Sequence, residues 1–399
     1  MKSGLFVSMA VGVVCGSGLE TAPGPEAAPG PETAPRPETA SKSAALAPVP
    51  VRLSGFDPMR EWLTEDGLRP VRWNNQQFPW IKAPEECREL WKSHVVRHEP
   101  DWDGLSLRDS FDDTGGLRAK TCAEWAAGIR TGRCALTTYD MMEESFFIAA
   151  GGVLVAVANA APSTHTAVTP VNLQALAHEL LPPPVERDTI ARCEEPELAW
   201  HIEGNTIRRE DEMWFEWIEP VVFGDIDGDG WEDMVTLYGG GARQGTMRGY
   251  HVRAFTRRGT GPLIEITPRL PQFMPSAAER AQQIAGWRSN YGLPADQPIE
   301  LRGRCDCGDA EHDMWMTITA SEGILSGGYQ CERRADSLRI NGCLADGSGL
   351  ITEFGIDSAH TAQLHFDWHI DGGTLCISGY RCGTGHMETD DFHVEGPVR

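Results

Sequence analysis

The sequence predicts an α+β fold: a mixed α/antiparallel-β domain followed by a small disulfide-rich antiparallel β-meander or barrel domain. Three observations predict it. Between residues 51 and 274, stretches with helical spacing of apolar residues alternate with stretches of strand-like alternation. From residue 275 onward one helix leads into short alternating runs divided by turn residues. The cysteines divide into an early four and a late six, as two separately closed units would.

The chain begins MKSGLFVSMAVGVVCGSG, in which one lysine precedes an apolar run, Leu5 to Val14. A run of about ten residues has the length of a signal-peptide core and is too short to span a bilayer. Residues 1–18 are therefore expected to be a signal peptide, and the protein to be exported, to a bacterial cell envelope or the extracellular space. Cys15 closes the run as in bacterial lipoprotein signals, although Val14 stands where that class has a small residue. Lipidation of Cys15 and ordinary cleavage after Gly16 or Gly18 both stay open, and a lipid on Cys15 is the only expected route to a membrane. Residues 19–50 contain APGPEA, APGPET and APRPET, proline-rich hexapeptides without a large apolar side chain. Such a segment cannot build a core and is expected to be a disordered tether of polyproline II character.

In the expected first domain, 51–274, PEECRELWKSHVV (84–96) and VNLQALAHELL (171–181) carry helical spacing, the second opened by Thr169-Pro170 and stopped by three prolines. FFIAAGGVLVAVANAA (146–161), split by Gly151-Gly152, reads as a buried β-hairpin. EMWFEWIEPVVF, MVTLYG, MRGYHVRAFTRR and PLIEITP read as an antiparallel meander. In the second expected domain, 275–399, Ser276 and Glu279 form a capping box that opens a linking helix, ERAQQIAGWRS. MWMTITAS, GILSGGYQCER, SLRINGCLAD, GLITEFGI, AQLHFDWHI and GTLCISGYRCG follow as strands. GGYQC and SGYRC echo one another, as if holding matching places in a barrel or curled sheet. Eleven cysteines less Cys15 leave ten, an even number that favours disulfides in an oxidising compartment.

The chemistry is concentrated in FGDIDGDGWEDMV, 223–235. Asp225, Asp227 and Asp229 stand at positions 1, 3 and 5 of a loop, Gly230 at 6, Trp231 at 7 and Asp233 at 9. A hard cation takes six to eight oxygens, and a tight turn aims alternate carboxylates inward when glycine takes the bend. Asp225, Asp227, Asp229 and Asp233, with the Trp231 carbonyl, are the expected ligands of a Ca2+ ion, and Glu232 at position 8 is expected to point away from it. Position 12 is Thr236, so the glutamate of an EF-hand is missing. The stretch resembles the FG-GAP/VCBS class of repeats found in exported and adhesive proteins, in which FGD precedes a DxDxDGxxD loop. That resemblance covers about twenty residues and implies calcium coordination by the same five residues. Repeats of that class build propellers from many such loops, whereas this chain holds one copy.

Other constellations exclude more than they supply. A net charge of −23 opposes binding to phosphate backbones, so no nucleic acid is expected. His178-Glu179 begin a zinc-protease pattern, but Pro182 takes the second histidine's place. His365, Asp367 and His369 alternate along one strand face, near which His386 and His393 could gather; such a row is more often a solvated face than a metal or acid–base cluster. Cys305 and Cys307 with His312 could hold zinc, though export favours disulfides. Thirteen tryptophans leave room for a glycan-binding surface. The function expected is that of a calcium-braced binding or envelope structural protein without catalysis, its partner an unidentified protein or glycan. The alternative is a secreted hydrolase with a carboxylate or histidine site, for which an inward-facing His365/Asp367/His369 row would speak.

Overall fold

A computed structural model describes residues 52–53, 84–96, 102–109, 116–165, 201–203, 206–210, 214–242, 248–306, 311–332, 337–354, 360–383 and 389–398. The signal segment, the proline-rich hexapeptides, the 171–181 pattern, Cys193, Cys307 and His386 lie outside them.

The first half is organised on a seven-stranded antiparallel sheet. Its strands are β1 (Arg52–Leu53), β5 (His201–Glu203), β6 (Thr206–Glu210), β7 (Trp214–Gly224), β8 (Asp233–Ala242), β9 (Arg248–Thr256) and β10 (Ile264–Glu265). The order is β10-β9-β8-β7-β6-β5, with β1 also paired to β7. Pro220 sits inside β7, a central strand, where a missing N–H would normally break a ladder. It falls at a register shift against β8, and on the other side between the residues paired to β6 (215–218) and those paired to β1 (222–223). A smaller sheet, β3-β2-β4, is built from β2 (Leu105–Asp109), β3 (Leu117–Ala119) and β4 (Arg133–Cys134).

Three helices cover one side: α1 (Cys87–Ser93), α2 (Cys122–Arg130) and α3 (Thr138–Asn159). Thr121 and Glu124 cap α2 reciprocally, and Thr137 caps α3 by accepting from the Asp140 N–H. The expected hairpin at 146–161 is thus a helix. Gly151 and Gly152 make no turn: a Cβ on Gly151 would lie 3.1 Å from the Trp91 ring and one on Gly152 2.7 Å from Val252. The pair lets α3 press against α1 on one side and β9 on the other. A helix apolar on nearly every face has no period to betray it, which is why the run reads as a strand.

The second half, after α4 (Ala277–Arg288), is a closed barrel of eight antiparallel strands. They are β11 (Pro298–Asp306), β12 (Glu311–Ser321), β13 (Ile324–Cys331), β14 (Leu338–Leu344), β15 (Ser348–Phe354), β16 (His360–Asp371), β17 (Thr374–Gly383) and β18 (Thr389–Pro397), with β18 pairing back to β11. The reciprocal cap of α4 by Ser276 and Glu279 is present as the sequence predicts. Along each strand, inward residues such as Leu301, Met316, Ile318, Ile340, Leu364, Phe366 and Val394 are buried, and the alternate residues Glu300, Arg302, Arg304, Asp313, Asp367 and Glu395 face water. A barrel spanning lipid is apolar outside and polar inside. This one is the inverse, a packed barrel with a mainly apolar interior, in which Glu353 pairs with Arg381, and a charged wall.

The fold corrects the α+β expectation. The described residues are mainly strand, and the barrel is held by its apolar filling and its closed ladder rather than by cross-links: no disulfide joins the described cysteines. Burial pushes the Cys122 and Cys343 thiols up to about 12, and Cys376 lies on the outer wall, opposite His369 and Glu395 in the ladders. The GGYQC/SGYRC echo is out of phase: Tyr329 points into the barrel, while Tyr380 stacks on His365 outside it.

The two halves are continuous. Ile324 and Cys343 of the barrel belong to the same buried cluster as Val222, Val235 and Trp125. At the sheet's edge Gln363 donates to Glu265 at 2.9 Å.

Candidate metal centre

The aspartate loop connects β7 to β8 at the end of the sheet that abuts the barrel. Its backbone is clamped from outside by residues 161–165. Ala161 and Asp225 exchange backbone hydrogen bonds (2.9 and 2.8 Å), the Thr164 and His165 N–H groups donate to the Gly230 carbonyl, and the Glu232 N–H donates to the His165 carbonyl. The Trp231 ring packs against His165 in a tilted arrangement, with centroids 4.5 Å apart. Gly230 has φ +90°, in the left-handed region that side chains resist, and a Cβ there would also meet the Thr164 hydroxyl at 2.8 Å.

Inside the loop, N–H groups orient the carboxylates. Asp225 accepts from Gly228 (2.7 Å) and Gly230 (3.0 Å), Asp227 from Asp229 (3.1 Å), and Asp229 from Trp231 (2.7 Å). One oxygen each from Asp225, Asp227 and Asp229 lie within 4.8 Å of one another. Asp233 is not part of that cluster. Its Oδ2 closes the loop by accepting from the Ile226 and Asp227 N–H groups, and the fully buried carboxyl also lies against the Thr256 hydroxyl, whose hydrogen bond favours the ionised form. Glu232, expected to point away from the site, is wholly buried.

Two arginines that the sequence reading missed border the loop. Arg269, 1% exposed, forms a salt bridge with Asp227. Arg258 pairs with Asp229 at 3.0 Å. A third arginine, Arg280 of α4, is buried over the Trp287 ring and lies within electrostatic reach of Asp225, Asp227 and Asp233. Burial and mutual repulsion show in the carboxyls. Burial first, then Asp227 and Asp229, raises Asp225 to about 6. Burial and Asp227 raise Asp229, and burial with both neighbours raises Asp233 well above the usual range. Nothing in the linear spacing marks Arg258 or Arg269: they follow the loop by 25 residues or more and are brought in by β9 and by the turn Thr267–Arg269.

The same arginines reach the barrel. Arg269 donates to the Leu344 carbonyl (3.1 Å) and the Glu322 carbonyl (2.9 Å), and Arg258 to the Ser321 carbonyl (3.2 Å). Those carbonyls belong to the β12–β13 turn and the end of β14. Gly323 in that turn has φ +72°, and a Cβ there would fall 2.5 Å from Arg269 Nη2.

The oxygen-only donor set suits a hard cation such as Ca2+ better than a soft one. The mutual repulsion of the three clustered carboxylates is what a divalent ion in the loop would relieve. Asp225, Asp227 and Asp229 would supply its carboxylate ligands.

The remaining candidates fall elsewhere. His365, Asp367 and His369 face outward from β16, and Asp367 and His369 are exposed. Ser378 Oγ lies 2.7 Å from His393 Nδ1, and His393 Nε2 lies 4.0 Å from Glu395, the nearest approach to a hydrolase constellation. It stands open to water on a barrel wall whose backbone N–H groups are committed to the ladder. Trp91, Trp125, Trp217, Trp287 and Trp368 fill cores, and Trp315 is exposed.

No family model matches the chain, and no curated protein matches it. A solved structure of a candidate outer membrane protein from Bacteroides fragilis overlaps 49% of this chain and 80% of that one, at 12% identity and a TM-score of 0.20. An overlap at that score carries no argument about fold or function.

Proposed function

We propose that the chain is an exported envelope protein that acts in binding or assembly rather than turnover, and that a calcium ion in the 225–233 loop braces the junction between its sheet and its barrel. The observation that carries the reading is the placement of the loop: three clustered carboxylates sit where two arginines tie β7–β8 to the barrel turns. Export is supported by the apolar run before Cys15 and by the proline-rich spacing that follows it. Lipid on Cys15 would tether the folded part to a membrane whose surface the charged barrel wall does not enter.

At extracellular calcium levels near a millimolar dissociation constant, the ion would stabilise the fold by roughly 0.4–1.4 kcal/mol, which fits a structural brace. The test is thermal melting of chelator-stripped protein with and without millimolar calcium. A higher melting temperature with calcium, absent in Asp225→Asn, supports the brace. Identical curves would favour a second reading, in which the buried Arg269–Asp227 pair closes the junction and the loop needs no ion.

A further inference from the structure

The barrel rim remote from the sheet carries two thiols that the aspartate loop does not involve. Cys305 is the last inward residue of β11 and Cys331 the last of β13; both are buried, and their sulfurs lie 2.9 Å apart. They are not ladder neighbours. Strand β12 runs between them, with His312 opposite Cys305 and Met314 opposite Cys331. Inward side chains of strands two apart meet there because the closed wall curves tightly around them.

We propose that Cys305 and Cys331 form a single oxidation site, joined across β12 by a disulfide-bearing oxidant of the thiol–disulfide exchange class. One thiolate attacks the oxidant's disulfide, forming a mixed disulfide and releasing one thiol. The second cysteine sulfur then attacks the first and releases the other thiol. Two S–H bonds and the oxidant's S–S bond are broken; one protein S–S bond and two oxidant thiols are formed, so the two electrons and two protons balance. Moving from 2.9 Å to the roughly 2.05 Å of a disulfide takes less than about 1 Å. The site restores no disulfide-rich domain. Cys343 lies at the opposite end of the barrel, and Cys376 faces outward. The bond would close a ring over residues 305–331 and hold three consecutive strands at the rim.

The probe is oxidised glutathione added to the full-length mature protein, followed by alkylation and a non-reducing peptide map. Cleavage before Asp306 separates Cys305 from Cys307. The expected product is a peptide pair linking Cys305 to Cys331, with Cys376 still alkylated and the cross-link unchanged in Cys376→Ser. The oxidised protein should resist urea better than the reduced one, its folding equilibrium favoured by about two orders of magnitude. Cys331→Ser should lose both the linked peptide and the added resistance. If that variant does not fold, the wild-type map decides alone. Cys305 linked to Cys307 or Cys382, or Cys331 still open to alkylation after equilibration, would overturn the proposal.

Discussion

Asp227 and Arg269 are both almost completely removed from water and form an ion pair. Breaking such a pair leaves a bare charge in the interior and typically costs about 3–5 kcal/mol. Arg269→Met should therefore lower the urea midpoint of the metal-free protein sharply. Arg269→Met with Asp227→Leu should recover part of the loss, because the second change removes the orphaned carboxylate. Asp225 gives a separate test through pH. Its folded value of about 6 lies above the ~3.9 of an unfolded chain, so between these values the folded state holds a proton that the unfolded state has released. Metal-free protein should lose stability as the pH rises from about 4 to about 6 and level off above. With calcium bound, the ionised carboxylate is the ligand, and the slope over that window should reverse. Urea midpoints of wild type minus those of Asp225→Asn isolate the effect, and equal midpoints at every pH would contradict it.

At the scale of elements, α3 is where packing overrules local appearance. A 22-residue helix with glycines at its middle carries the sheet on one face and α1 on another. Gly152→Leu should overpack the contact with Val252 and destabilise by about 1–3 kcal/mol in urea. In a hairpin turn the same change would act through backbone strain, and Gly152→Ala would be nearly as severe as Leu. A graded Ala-then-Leu loss is the helix's signature. The barrel has a comparable fixed point: Glu353, wholly buried, receives both the Arg381 Nε (2.9 Å) and Nη2 (3.1 Å) and the Tyr329 hydroxyl. Glu353→Ala should cost about 3–5 kcal/mol, since it removes the carboxylate that holds Arg381 Nε and Nη2 and leaves that guanidinium only Asp390, at 3.4 Å.

For the whole molecule, what the sequence made legible was whatever repeats at short range. The barrel strands were readable because inward and outward residues alternate, and α4 because its cap lies within four residues. The clustering of the Asp225, Asp227 and Asp229 carboxylates was readable because they stand at alternate positions of one tight loop. The arginines, the junction and the 2.9 Å thiol approach were not, because each arises from contacts between distant segments that carry no local pattern. The disulfide-rich expectation failed for a related reason: cysteine parity counts residues and says nothing of where the ladder places them. The hexapeptide segment tests the opposite limit, since composition alone is invoked there. Deleting residues 19–50 should leave the melting temperature of the mature protein unchanged, and a large drop would show that the segment packs on the fold.

The central claim, that a divalent ion completes the aspartate loop at the junction of sheet and barrel, is tested most directly by calorimetric titration of calcium into the chelator-stripped protein. The account predicts a single binding event with a dissociation constant in the millimolar range or tighter, weakened in Asp225→Asn and Asp229→Asn and lost in Gly230→Val. No heat of binding up to millimolar calcium, in wild-type protein that is folded by circular dichroism, would mean that Arg258, Arg269 and Arg280 balance the aspartates without an ion.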